Sequence, residues 1–331
     1  MNILVSGGLG FIGSHTVVEL LQKKHKVVII DNLHNSQRKT FSIIGHITQE
    51  NCSFIDADCT DLLKLSKIFR VNNFNAIIHF AGFKSVSESV QNPLDYYRNN
   101  LLSTVNITKL AIKYNVNKLI FSSSATVYGN GISPFSEESP LLERTNPYGE
   151  SKAMCERILL DTQKANPQLS LYLLRYFNPV GAHKSGLLGE VPNGVPNNLL
   201  PFITQVAKSK RERLLIYGND YDTPDGTGVR DYIHVVDLAK GHIAALESNR
   251  TGVNIYNFGT GRGTSVLELV HAFEKVNNVK IPYEIVARRP GDLAVSYADV
   301  SKAKRELNWE AKLTIEDMVR DAWNFEKNLK D

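Results

Sequence analysis

The chain has 331 residues, with 38 Lys or Arg against 34 Asp or Glu and a formal net charge of +4. Its 42% apolar and 22% charged content is that of a globular protein able to bury a core without staples, at a length suited to about two domains. So small a charge surplus, with no basic run interleaved with aromatics, argues against a nucleic-acid partner; no stretch nears the ~18 apolar residues of a membrane helix, so no membrane partner is expected.

The N-terminal run Met1-Asn2-Ile3-Leu4-Val5-Ser6 has neither a basic segment nor a long apolar one, so no export signal is expected. Strands are predicted over 3–6, 27–31, 53–57, 76–81, 118–122 and 170–176, each apolar at consecutive positions, as strands covered on both faces must be. Helical patterns lie between them, over 12–22, 62–71, 99–114 and 146–164. This alternation predicts an α/β fold: a Rossmann-type doubly wound parallel sheet with helices on both faces. The texture changes after Phe177. The stretch 178–198 holds Pro179, Pro192 and Pro196 among four glycines and reads as a long loop, of the kind that is usually functional. A second loop spans 218–228. Short strands over 214–217, 254–258 and 282–286 and helices over 236–248, 266–277, 301–307 and 315–328 complete a smaller α/β region. The expected division is a dinucleotide-binding domain, 1–177, and a mainly substrate-binding domain, 178–331, with segments returning to the first. Cys52, Cys59 and Cys155 show no C-x-x-C spacing, which points to a reducing cytoplasm, and the histidines show no metal spacing, so no metal is expected.

Gly7-Gly8-Leu9-Gly10-Phe11-Ile12-Gly13 follows the first strand and opens a helix. Glycines there permit a tight turn and let backbone N–H groups reach a pyrophosphate at a helix N-terminus. The second strand ends on Asp31, where a carboxylate would accept from an adenosine ribose. That acid favours NAD over NADP, although His34 and Arg38 leave the second open. Asn146-Pro147 signals a helix start, which puts Tyr148 in the first turn and Lys152 one turn on, along the same face. By spacing alone such a pair is common on helix surfaces. Beside a strand end carrying Ser124 and Thr126 it becomes a candidate base, its phenol acidified by the ammonium and by a cationic ring.

These motifs, with His79-Phe80-Ala81-Gly82 and Arg175-Tyr176-Phe177-Asn178-Pro179, make the chain similar to the extended short-chain dehydrogenase/reductase family. Within it the chain resembles the UDP-glucose 4-epimerases, through Lys84-Ser85-Val86, Pro196-Asn197-Asn198-Leu199, Gly228-Val229-Arg230-Asp231-Tyr232-Ile233-His234 and Arg288-Arg289-Pro290-Gly291-Asp292. The likeness runs from Met1 to about Trp309. It implies an NAD held through turnover by Gly7, Gly10, Phe11, Ile12 and Gly13 of the turn and by Asp31, Asn32, Asn35 and Ser36 after the second strand. Asp58 would hold the adenine amine, beside Cys59; Phe80, Ala81, Gly82, Lys84, Asn99, Ser122, Tyr148, Lys152 and Tyr176 would complete the site. A UDP-sugar would meet Ser124, Thr126 and Tyr148, and Lys84 near the nicotinamide side; Phe177 and Asn178 would begin its pocket, and Asn198, Arg230 and Arg289 would grip its pyrophosphate. Leu199, Leu215 and Tyr217 would surround uracil, with Asp292 on its ribose.

The implied catalytic residues are Tyr148, Lys152 and Ser124, inverting C4 of UDP-glucose and UDP-galactose through a 4-keto sugar and transient NADH. Ser296 stands where some members of the family carry a bulky Tyr, so its small side chain implies room for UDP-GlcNAc and UDP-GalNAc. The resemblance also implies a homodimer made through helices of the first domain. A nucleotide-sugar 4,6-dehydratase would need a carboxylate pair after the strand-end Ser, where this chain has Ala125-Thr126-Val127. A 4-reductase on the same triad and a catalytically silent NAD-binding scaffold are the other readings.

Overall fold

The computed structural model describes residues 1–289 and 291–329; Pro290 of the basic run, and Lys330 and Asp331 at the end of the expected second domain, lie outside the described residues. Seven parallel strands form the main sheet, in the order Ser53–Asp56, Lys26–Asp31, Asn2–Ser6, Ala76–His79, Lys118–Ser124, Ser170–Tyr176, Val253–Phe258. Alternate residues enter opposite cores. Ile3 and Val5 pack with Val17 and Leu20 of the helix Phe11–Gln22, whereas Leu4 packs on the other face with Leu65, Phe69 and Ile107. Burial on both faces is why the strands read as unbroken apolar runs. The chain builds outward from Asn2–Ser6 in one direction, then returns to its other side with Ala76–His79. Crossovers that diverge there leave a crevice above the strand ends, where ligands of open α/β sheets sit.

Several local features depart from the sequence expectation. The strand predicted over 76–81 ends at His79, because the amides of Phe80 and Ala81 both turn onto the Ser6 carbonyl, at 2.9 and 3.1 Å. The strand expected to end at 122 runs to Ser124, paired to the end with Ser170–Tyr176. The helix expected from 99 starts at Pro93, one residue after Asn92, and is preceded by the short helix Val86–Gln91. Helices Lys39–Thr48 and Leu199–Ala207 are not expected from the sequence: the first, with Phe41, Ile43 and Ile47 half-buried around Ile44, has no capping side chain to mark its start, and the second follows a proline-rich loop and itself holds Pro201.

After Tyr176 the chain pairs Asn178–Val180 with Tyr232–His234, Leu214–Tyr217 with Tyr283–Val286, and Val229–Arg230 with both Thr264–Ser265 and Val295–Ser296. A further core of Leu200, Ile203, Ile216, Leu269, Phe273 and Val319 lies beneath these strands. The buried Asp231 ties them together: its carboxylate accepts from Thr260 N and Oγ1, both at 2.7 Å, from Gly261 N at 3.0 Å and from Ala298 N at 3.2 Å. His234 is also fully buried; its Nδ1 accepts from Val236 N at 3.1 Å and caps the helix Val235–Glu247. Among the described residues no helix is long and apolar enough to cross a membrane, and the three cysteines are free.

Candidate active site

The crevice opens into a cavity of about 1320 Å³. Pockets for one small organic ligand usually measure ~300–1,000 Å³, so this one has room for two. Every residue that the sequence nominates for cofactor or substrate lies on its wall.

At one end the glycine turn is packed to its limit. Gly7 has φ +69°, and a Cβ there would stand 2.7 Å from Ala81 N; a Cβ on Gly13 would stand 2.3 Å from Gly7 O. Only glycine brings the helix start this close to the strand end. Asp31 is buried beside it. Its Oδ2 accepts from Leu9 N at 3.0 Å, and its Oδ1 accepts from Leu33 N at 3.0 Å and Ser36 Oγ at 2.7 Å. A carboxylate has about four acceptor sites, which leaves one for a ligand hydroxyl. Burial pushes the Asp58 carboxyl up, but hydrogen bonds from Thr60 and from Asn32 (2.8 Å) outweigh it and hold the group below the usual carboxylate range. Next to it, burial pushes the Cys59 thiol up to about 12, an inert group. Arg38 pairs with Asp56 at 3.2 Å and lies over Phe54, while His34 stacks on Phe83. Both side chains thus already have partners on the protein beside Asp31. An anionic turn-binding group with a ribose diol fits this cradle.

The centre of the cavity holds the Tyr148 helix. Asn146 caps it, accepting from Gly149 N at 2.9 Å, and Pro147 takes the first helical position, as its sequence signals. Lys152 is buried, donates to the Ser122 carbonyl at 2.7 Å and lies over the Phe121 ring. Burial pushes its ammonium down to about 8. The expected acidified phenol is not what the ligand-free site shows. Burial raises the half-buried Tyr148, and a hydrogen bond from Ser124 only partly offsets that rise. The reason is geometric: Lys152 spends its charge on Ser122 and Phe121 rather than on the phenol. Ser124 Oγ accepts from Thr126 N at 3.3 Å and Oγ1 at 3.0 Å, so its own proton is free to donate. Tyr176, buried behind them, donates to His242 Nε2, whose Nδ1–H donates to the Leu238 carbonyl at 2.8 Å.

At the far end, Arg230 and Arg289 flank Asp292, at 3.6 and 3.8 Å, with Arg289 also over the Tyr217 ring at 4.1 Å. These loose pairs leave the guanidinium groups open to an anion. The adjacent Arg288 is committed elsewhere, to Asp220 at 2.7 Å and the Tyr221 ring. Ser296 is half-buried in register with Arg230. Sequence reasoning missed Glu190, a cavity residue that bonds Lys84 and Asn198, and Asn100, which binds Phe83 N at 2.7 Å, Phe83 O at 3.1 Å and Ser151 Oγ at 3.0 Å. Both act across long separations that no local pattern reveals.

A family model described as GDP-mannose 4,6 dehydratase matches residues 4–322. The UDP-glucose 4-epimerase of Haemophilus influenzae is 54% identical over 331 residues, covering 99% of this chain and 98% of that protein. That of Bacillus subtilis is 53% identical over 331 residues, covering 99% and 97%. Among solved structures, the UDP-glucose 4-epimerase of Bifidobacterium longum in complex with NAD+ and UDP superposes with a TM-score of 0.96 at 51% identity, covering 99% of both chains. The UDP-Glc/GlcNAc 4-epimerase of Campylobacter jejuni superposes with a TM-score of 0.86 at 39% identity, again covering 99% of both.

The depressed Lys152 makes stability depend on pH. Below about 8 the buried ammonium is charged at a cost, and that cost fades as pH rises toward the ~10.4 of a free lysine. Thermal unfolding of a Lys152→Met variant checks this: its stability relative to the parent falls as pH rises from about 8 to about 10, whereas a pH-independent difference contradicts it.

Proposed function

The chain belongs to the family of the UDP-glucose 4-epimerases, within the wider group of nucleotide-sugar enzymes, and we propose that it inverts C4 of UDP-glucose and UDP-galactose with a bound NAD. The observation that carries the proposal is one continuous cavity with three ends in order: the glycine turn with Asp31, the Tyr148–Lys152–Ser124 centre, and the Arg230–Arg289 pair. The cradle and the buried Asp31 carboxylate, with one acceptor site left for a ribose hydroxyl and a charge that repels a phosphate, fit NAD rather than its phosphorylated form. The Bifidobacterium relative, described with NAD+ and UDP, supports both occupants.

Bound NAD supplies the acceptor and donor of the C4 hydride. The protein handles the proton and the position. Tyr148 takes the proton of the C4 hydroxyl; Ser124, whose oxygen is held by Thr126, keeps its own O–H to steady the C4 oxygen and relay that proton. Lys152, fixed on Ser122, retains two ammonium protons beyond that bond for a ligand in the cavity. In the ligand-free site burial holds the phenol up, so the base gains its acidity only when positive charge enters the cavity beside it. Arg230, Arg289 and Asn198 hold the diphosphate while the 4-keto sugar turns to present its other face. Binding energy from the remote nucleotide thus restrains an intermediate that must remain mobile.

The dehydratase reading lacks its acid. Removing water across C5 and C6 calls for a carboxylate beside Ser124, and Ala125-Thr126-Val127 supplies none. The carboxylates on the cavity wall are Asp31, Asp58, Glu88, Glu190 and Asp292; Glu88 accepts from Tyr96 OH at 2.8 Å, and the other four bond the groups described above. A silent scaffold has no use for a buried Lys152.

Ser296 lies on the wall beside Arg230, where a short side chain leaves space for a 2-acetamido group, and the Campylobacter relative is described as acting on both UDP-Glc and UDP-GlcNAc. We extend the proposal to UDP-GlcNAc and UDP-GalNAc on that ground. The helix Pro93–Lys113 carries Leu94, Leu102 and Val105 exposed on one face, with Met154 exposed on the neighbouring helix Pro147–Ala165; a second copy of the chain would bury them.

Separating products after incubation with each of four UDP-sugars tests the function. Both pairs interconvert with the parent protein, and Ser296→Tyr slows the acetylated pair by roughly 100-fold while sparing the plain pair. No conversion of UDP-glucose contradicts the function, and equal survival of both pairs in the variant contradicts the gate. Sedimentation of the purified protein gives the mass of two chains; a monomer mass contradicts the paired helices.

A further inference from the structure

The loop 189–198 crosses the mouth of the cavity and is fastened by side chains. Asn193 Nδ2 donates to the His34 carbonyl at 3.2 Å, and Asn197 Nδ2 donates to Ser85 Oγ at 3.0 Å. Ser87 Oγ donates to Asn197 Oδ1 at 3.2 Å. The one charged fastening is Glu190. Its Oε1 accepts from Lys84 Nζ at 2.7 Å, and its two oxygens accept from Asn198 Nδ2 at 2.9 and 3.1 Å. The Glu190 side chain is 9% exposed and that of Lys84 49%, so the acid is the buried partner and the lysine the half-exposed one.

Asn198 stands at the N-cap of the helix Leu199–Ala207, a position at which asparagine ordinarily turns back to satisfy its own helix. Here it makes no such cap, since the third helical residue is Pro201 with no N–H to give, and its side-chain amide donates to Glu190 instead. Lys84 gives Glu190 one of its three ammonium protons and keeps two. A single carboxylate thus holds a lysine on the cofactor side of the cavity and an amide on the substrate side.

We infer that Glu190 is a positioning residue that joins the cofactor and substrate sides of the cavity, holding Lys84 and the side-chain amide of Asn198 in place together. The inference rests on the UDP-sugar reading given above. Without the acid, the Asn198 amide loses its orientation toward the diphosphate and Lys84 is released to solvent. An acid in an anion-binding cavity could otherwise be only a competitor for the same donors, and the two roles predict opposite changes in affinity.

Titration of the NAD-loaded protein with UDP by calorimetry, beside steady-state kinetics, separates them. Glu190→Ala weakens UDP binding and raises KM by about tenfold, the scale of one charge-assisted hydrogen bond, with kcat within about threefold of the parent. Glu190→Gln, which keeps an acceptor for Asn198, recovers most of the loss, and both variants melt with the parent. UDP binding that is unchanged or tighter in Glu190→Ala overturns the inference, as does a fall in kcat and melting temperature with KM unmoved. A parent protein that binds no UDP overturns the function reading and this inference with it.

Discussion

Between the main sheet and the helix Pro147–Ala165 lies an ion pair sealed from water. Arg175 Nη2 and Nε donate to the two oxygens of Glu156 at 2.7 and 3.0 Å, with side chains 3% and 1% exposed. Ser123 Oγ donates to the same carboxylate at 2.5 Å, and Arg175 Nη1 donates to Tyr128 OH at 3.1 Å. Tyr128 in turn donates to Asn257 Oδ1 at 2.6 Å. The strand end that carries Ser124, the helix that carries Tyr148 and Lys152, and the edge strand Val253–Phe258 are thereby locked in one arrangement. Taking two charges out of water costs several kcal/mol, and a fully bonded pair roughly recovers it. Its return is in register, which a centre relying on Ser124 and Tyr148 at hydrogen-bond range cannot do without.

The same logic runs through the nucleotide end. Asp231, also buried, gathers the amides of Thr260, Gly261 and Ala298, and so sets the short strands that present Arg230 and Ser296 side by side. Rigid polar knots lie behind the cavity wall, while the arginines facing the cavity are loosely paired. Arg230 and Arg289 share Asp292 at distances beyond a hydrogen bond. Such a division suits chemistry in which the nucleotide is gripped and the sugar turns.

Much of this was legible in the residues. The glycine turn, Asp31, and Tyr148 with Lys152 could be read because each depends on local backbone demands: a φ that needs glycine, a strand end, one helical turn. The doubly wound sheet followed from unbroken apolar runs. What escaped depended on long-range contact. Glu190 sits in a loop without period and meets Lys84 across 106 residues. Arg175 belongs to a recognisable motif, but nothing local announces Glu156 as its partner. The helix Lys39–Thr48 hides because no capping side chain marks its start and only Ile44 of its apolar residues is fully buried. The protonation of Tyr148 could not be read from its spacing to Lys152, because it turns on where the ammonium points and how much water is excluded, both properties of the folded cavity.

The account's central claim is that the Tyr148 phenol moves the C4 proton. Its most direct test is the rate at which a Tyr148→Phe variant interconverts UDP-glucose and UDP-galactose, measured on protein that retains its dinucleotide and its UDP affinity. The account predicts a fall of about 10²–10⁴-fold, the usual share of a positioned acid–base group. A variant as fast as the parent contradicts it.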